Sequence, residues 1–247
     1  MSDGVAGLKM FRRAGDVPDR LKAYWSCFDA LRSFNTQASL SEAVEWVYSD
    51  GARFVRPTQQ KDEIAELLAI LEPQRPRTLL EIGTASGGTL FLLSRVAAPD
   101  ALLVSIDLPG GRFGGGYGRW RLPLYRSFAR PGQTIRLIRA DSHRAETFRS
   151  LREIIGNRGL DVLFIDGDHT YEGVQKDFDM YGTLVNDGGW IALHDILPDP
   201  SDASNEVHRY WGEITKRLLY REIIADCSGK YGIGVVRRVS SPGEIRS

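Results

Sequence analysis

The sequence predicts a doubly wound α/β fold, a mostly parallel sheet with helices on both faces and a helical cap ahead of it. Three observations lead there. From residue 78 onward, five short apolar runs recur, each followed by polar or glycine residues and a longer helix-like stretch. The first run feeds directly into a glycine-rich turn. Ahead of residue 78, apolar residues fall at helical spacing instead.

Taken in order, Leu21, Tyr24, Trp25, Phe28 and Leu31 form one helical stripe behind Pro18 and Asp19, which suit a first turn. Ser39 and Glu42 make a candidate capping box before Val44 and Val47. Ile64, Leu67, Leu68 and Leu71 form a third stripe, stopped by Pro73. None of these stripes holds a chemical constellation. Residues 1–57 are therefore expected to form the cap, 58–240 the main domain and 241–247 a tail. The strand-length runs are Thr78–Ile82, Leu102–Ile106, Thr134–Ile138, Asp161–Ile165 and Trp190–Leu193. Two later segments, Tyr220–Ala225 and Ile233–Val239, fit a terminal antiparallel pair.

The 247 residues include 32 basic and 32 acidic side chains, so no broad field attracts nucleic acid or an anionic membrane. With 42% hydrophobic and 26% charged residues, the chain is too apolar to be disordered. Cys27 and Cys227 form no CxxC spacing, which excludes a disulfide framework and a thiolate zinc site. The opening MSDGVAGLKMFRRAG lacks the apolar segment of a secretory signal. No apolar run approaches the roughly 18 residues of a membrane span. A reduced, cytoplasmic, soluble protein is expected, with no membrane partner. The charge balance argues against a nucleic-acid partner but leaves room for a local RNA-binding patch, and homo-oligomerisation is compatible with the sequence.

The strongest local signal runs from Leu79 to Thr89, Leu-Leu-Glu-Ile-Gly-Thr-Ala-Ser-Gly-Gly-Thr. Glycines permit a sharp turn and close ligand approach, and the helix that follows offers exposed amides. A dinucleotide fingerprint requires a second glycine where Ala85 stands, and a P-loop requires lysine where Thr89 follows Gly88. The acidic-x-Gly-x-x-x-Gly-Gly form instead resembles the first motif of class I S-adenosylmethionine-dependent methyltransferases. That resemblance implies a cofactor whose methionine part is cradled by Glu81, Gly83, Ala85 and Gly87, with Thr84 among them. Asp107 ends the second run, where a carboxylate can accept hydrogen bonds from both ribose hydroxyls. Asp141 and Ser142 end the third, where the resemblance implies adenine contacts; Asp141 also suits the N-cap of a helix starting near His143.

A second block, Leu160 to Gly173, is followed by Leu184 to Asp195. Together with DLPGGRFGGGYGRW and RADSH, these resemble the macrocin O-methyltransferase and cephalosporin-biosynthetic methyltransferase-like subgroup. The resemblance covers roughly residues 55–238 and implies a Rossmann-like sheet of seven strands. Ligands of open parallel sheets bind beyond the carboxyl ends of the strands. Asp166 leaves one strand and His194-Asp195 the next, so neighbouring strands would bring these side chains together beside the cofactor. The resemblance implies a divalent metal, Mg²⁺ or Mn²⁺, on Asp166 and Asp195. His194 stands where several relatives have a carboxylate, and an imidazole ligand suits Mn²⁺, Fe²⁺ or Zn²⁺ better than Mg²⁺. The competing reading has both aspartates capping turns and His194 packing or touching substrate.

His169 is the candidate catalytic base, because an imidazole titrates near neutrality and related sugar O-methyltransferases have a histidine three residues after the metal-binding aspartate. Asp168 either orients it or shapes the turn; His143 and His208 stay unassigned. The stretch Gly110 to Trp120 reads either as a substrate lid, with Arg112 and Arg119 for anionic groups and aromatic faces for a sugar, or as a loop closing over the cofactor. The expected activity is metal-assisted methyl transfer to a hydroxyl of a small molecule or glycan precursor. Two rivals stand beside it: a cofactor-binding accessory subunit without transferase activity, and a nicotinamide oxidoreductase, which Ala85 weakens.

Overall fold

The computed structural model describes residues 17–34, 38–111, 116–225 and 230–239. Seven strands form one sheet: β1 (Thr78–Ile82), β2 (Leu102–Asp107), β3 (Thr134–Arg139), β4 (Leu160–Ile165), β5 (Val185–His194), β6 (Tyr220–Ile223) and β7 (Ile233–Arg237). Their order is β3-β2-β1-β4-β5-β7-β6. The first five are parallel, and β7 runs antiparallel to both β5 and β6. The expected doubly wound sheet and its terminal antiparallel pair are both present. The strand order reverses between β1 and β4, which is where such sheets open a crevice for ligands.

Helices α1 (Val17–Ser33), α2 (Leu40–Tyr48), α3 (Lys61–Leu71), α4 (Gly88–Val96) and α5 (Leu122–Arg126) precede α6 (Ala145–Ile155), α7 (Tyr171–Gly182) and α8 (Val207–Ile214). Alternation along the strands builds two cores. Leu79, Leu103, Val162, Phe164 and Ala192 face the layer shared with α1 to α5. Leu80, Val104, Leu163, Ile165 and Leu193 face the layer shared with α6 to α8.

The cap is continuous with the first of these cores, and α4 explains why. All nine residues of α4 are buried, so it is a helix covered on every side. The sheet covers one side, while α2 and α3 pack on another. Phe91 meets Trp46 at 5.5 Å and Phe128 at 5.6 Å between ring centroids. Uncovering side chains of this size costs roughly 1.5–3 kcal/mol each, so the first core needs the cap. Helix α2 begins with the expected capping box, Ser39 accepting from the Glu42 amide and Glu42 from the Ser39 amide. Helix α3 ends at Leu71, and Pro73 sits in the short 3₁₀ turn that follows.

Two local readings need correction. The helix expected near His143 starts at Ala145, with Arg144 as its N-cap residue. Strand β5 is longer than its apolar run, because Gly188 (φ +79°) and an irregular register against β4 let Val185–Gly189 join the sheet. Among the described residues, no helix is long and apolar enough to cross a membrane.

Candidate active site

The turn after β1 is shaped by contacts with protein on three sides. Gly83 has φ +93°, and a Cβ there would lie 1.8 Å from the carbonyl oxygen of Asp166. Only glycine lets the turns after β1 and β4 touch in this way. A Cβ on Gly87 would lie 2.7 Å from the Tyr125 ring, and one on Gly88 would lie 2.1 Å from the Val55 carbonyl oxygen. The Tyr125 hydroxyl donates to the Ala85 carbonyl at 2.7 Å. The Gly-Gly pair thus seats an aromatic ring and the segment from the cap.

Beyond the carboxyl ends of the strands lies a cavity of about 570 Å³, within the range of ligand sites. It runs from Asp107 and Gly111 past Asp141–His143 to Asp166, His169 and Asp195. Of the residues expected in the site, Gly83, Ala85, Asp107, Asp141, Ser142, Asp166, His169, His194 and Asp195 line it. Glu81, Thr84 and Gly87 are not among its lining residues. Glu81 is buried beneath the turn, and burial, then the charges of Asp107 and Asp166, push its carboxyl well above the usual range. The Thr84 side chain is buried against Ser105.

Asp107 bridges the turn and the cavity. One of its oxygens accepts from the amides of Thr84 at 3.0 Å and Ala85 at 2.8 Å. Burial raises its carboxyl despite these bonds and one from the Gly116 amide. Asp141 accepts from the His143 amide at 2.8 Å, which shapes a local turn, and its carbonyl accepts from Thr147 at 2.6 Å. The Tyr181 hydroxyl fixes the Ser142 carbonyl at 2.6 Å. Beneath them His143, unassigned from sequence, pairs with the buried Asp177 at 3.3 Å. In the second half of the glycine-rich stretch Tyr117 is buried against Tyr125, while Trp120 is exposed and meets Tyr24 of α1. Arg112 lies outside the described residues.

At the other end, the turns after β4 and β5 bring two carboxylates and two imidazoles together. His169 Nδ1 lies 3.3 Å from Asp195 Oδ2, and His169 Nε2 lies 3.5 Å from Asp166 Oδ1. His194 Nδ1 sits 3.1 Å from Asp166 Oδ1 and 3.2 Å from Asp195 Oδ1. Asp195 has φ +61°, an uncommon conformation for a residue with a side chain and one frequent at functional sites. Burial would raise the Asp166 carboxyl, but the His194 charge and bonds from both histidines hold it below the usual range. Burial raises Asp195 against the pull of His194, and the Asp166 charge adds to the rise. For His169, burial opposes protonation, yet Asp166 and Asp195 raise its value. For His194 the same contest ends at about 9.

One donor set suited to a cation joins the two expected aspartates to His169. Ligand atoms of Asp166, His169 and Asp195 all lie within 4.8 Å of one another, which gives two oxygens and one nitrogen. His194, expected as the third ligand, is 3% exposed, its Nδ1 between the two carboxylates and its ring 6.0 Å from that of Tyr231. His169 supplies the nitrogen of that group, and both of its ring nitrogens also face the carboxylates. The cluster fits a divalent cation in charge and donor type, with the nitrogen favouring Mn²⁺ over Mg²⁺.

Residues that escaped the sequence reading include Thr58, Tyr231 and the buried Gln59. Thr58 and Tyr231 line the cavity, and Gln59 Nε2 donates to Asp166 Oδ2 at 2.6 Å. None carries a motif, and tertiary packing alone delivers them.

A parallel sheet with this strand order, a glycine turn after its first strand and an aspartate ending its second agrees with the fold that the sequence resemblance implies. Residues 80–196 match the family model of a methyltransferase domain. Over those residues, just under half of its length, the chain is similar to that methyltransferase family. The uncharacterized protein R132 of Acanthamoeba polyphaga mimivirus is 31% identical over 135 residues, 53% of this chain. The chain spans 57% of that relative's length, and 15% of the uncharacterized protein y4gI of Sinorhizobium fredii. Among solved structures, the O-methyltransferase TomG of Streptomyces achromogenes, in complex with SAM, superposes with TM-score 0.57 at 17% identity. That match covers 85% of this chain and 95% of TomG. An O-methyltransferase from Bacillus cereus in complex with SAH gives TM-score 0.56 at 16% identity, covering 85% of this chain and 96% of that one. At these identities the likeness shows the fold.

Proposed function

We propose that the protein transfers a methyl group from S-adenosylmethionine to a hydroxyl of a small molecule or glycan precursor. One observation carries this reading: a single cavity joins Asp107 at the end of β2 to the carboxylate–imidazole cluster at the ends of β4 and β5. O-methyltransferases among the structural neighbours support the choice of an oxygen acceptor. The cofactor supplies an electrophilic methyl group on sulfur, and a divalent metal would supply positive charge beside the acceptor oxygen. Gly83, Ala85 and Asp107 hold the donor, with Asp141 and Ser142 at the adenine. Asp166 and Asp195 hold the acceptor end and supply the oxygen ligands of a metal. His169 takes the hydroxyl proton at Nε2, with Nδ1 directed to Asp195. The enzyme's contribution is orientation and a preorganised field around a developing alkoxide.

The reading is tested by calorimetry with S-adenosylmethionine and its demethylated product, and by transfer of a labelled methyl group into a metabolite pool. Folded wild type that binds neither ligand contradicts the proposal. Asp107→Ala is expected to weaken binding by about 1–3 kcal/mol, the cost of removing a buried acceptor from its donors. An unchanged affinity would remove Asp107 from the cofactor site.

Chelation followed by elemental analysis tests the metal. Metal-free protein is expected to keep its cofactor affinity and lose most methyl transfer, with Mn²⁺ restoring it. Full turnover without metal would leave proton removal to His169 alone.

A further inference from the structure

We propose that Gln59, delivered by the segment between α2 and α3, is a positioning residue that fixes the Asp166 carboxylate for methyl transfer. The inference rests on the proposed function above and names what the cap contributes to that reaction. Gln59 is 4% exposed, and both ends of its amide are engaged. Nε2 donates to Asp166 Oδ2 at 2.6 Å, and Oε1 accepts from the Thr89 hydroxyl at 2.7 Å. The Tyr48 hydroxyl holds the Gln59 carbonyl at 2.8 Å.

The chemistry leaves one orientation for the amide. Turned over, Oε1 would face a carboxylate oxygen at hydrogen-bond distance, two acceptors with no proton between them. Gln59 thus donates to an ionised Asp166 and opposes rotation of that carboxylate. The other oxygen, Oδ1, stays with His194 and His169. Each Asp166 oxygen has its own partner, so the carboxylate plane is set from both sides.

The route by which Gln59 arrives is equally built. Gly88 has no Cβ where Val55 and Pro57 pass, Ser86 donates to the Arg56 carbonyl, and Arg121 Nη1 donates to the Phe54 carbonyl at 2.7 Å. The segment is fastened to the donor-side turn, and Thr89 is the second residue of the helix that leaves it. Thr89, Gln59 and Asp166 therefore link the donor side of the site to the acceptor side through two hydrogen bonds.

The test uses the full chain, whose four histidines allow complete assignment of long-range ¹H–¹⁵N imidazole spectra. Gln59→Met keeps the length of the side chain and removes both bonds. At fixed pH it is expected to shift the signals of His169 and His194 and leave those of His143 and His208 in place. Affinity for S-adenosylmethionine should stay within about twofold, while methyl transfer falls about 10–100-fold, the usual cost of losing an orienting partner. Thr89→Val, which keeps the shape and removes the hydroxyl that fixes the amide, should shift the same two signals by less; it serves also if Gln59→Met does not fold. Unmoved His169 and His194 signals overturn the proposal, as does equal movement of all four. Wild type that transfers no methyl group counts against the proposed reaction, and the imidazole spectra judge Gln59 separately.

Discussion

His169→Ala is expected to lower turnover by about 10²–10⁴-fold while cofactor affinity and metal content stay near wild type. The ring lies between Asp195 Oδ2 at 3.3 Å and Asp166 Oδ1 at 3.5 Å, so its position is set and its proton affinity is raised. A base must be unprotonated to act. The wild-type rate should therefore climb with pH through a value above the roughly 6.5 of a free imidazole, and the variant should lose that limb. Single-turnover measurements across pH, with elemental analysis of the variant, decide the assignment. A near-wild-type rate with the limb intact removes His169 from proton transfer. Loss of metal from the variant makes His169 a ligand instead, a role that its place in the donor set allows.

The second large effect concerns stability. His194 is 3% exposed and its proton is held to about pH 9, above the roughly 6.5 of the unfolded chain. Its contribution is fully present below about pH 6.5 and is lost as pH rises through about 9. The difference corresponds to about 3 kcal/mol as an order of magnitude. Asp166 is the other half of the same pair, and its depressed carboxyl gives an acid limb, lost as pH falls below the usual carboxylate range. Urea unfolding of metal-free protein at pH 6, 7.5 and 9 should show stability declining toward alkali, and His194→Gln should flatten the slope. Equal slopes for the two proteins would mean that His194 keeps no proton of consequence.

The sequence made the sheet legible because the central strands β1, β2 and β4 are apolar runs buried on both faces, as Leu79, Leu80 and Ile82 are in β1. It revealed the ends of the strands too, because Asp107, Asp166 and Asp195 break those runs where a crevice forms. What stayed hidden depends on segments crossing in space. Gly87 and Gly88 look like ligand-binding glycines, yet Tyr125 and Val55 fill the places where their side chains would be. The extension of β5 hinges on one positive φ at Gly188. The approach of both His169 and His194 to one carboxylate follows from the turn at Asp195, whose left-handed backbone puts it between the two rings. Gln59 sits in an ordinary polar stretch, and nothing within its own segment points to Asp166.

The contact between Gly83 and the Asp166 carbonyl also bears on which parts of the cavity wall are fastened together. Around that contact, the Gly83 amide donates to Ile106 and the Asp166 amide to Ile82, at 2.9 and 2.8 Å. The turns after β1 and β4, which the proposed function puts under the donor and beside the acceptor, are thus tied to the sheet by main chain. The far rim of the cavity, with Asp199, Asp202, Asn205 and Tyr231, lies outside the parallel strands and has no part in that main-chain tie. Substitutions on that rim are therefore expected to leave the contact between the two turns in place.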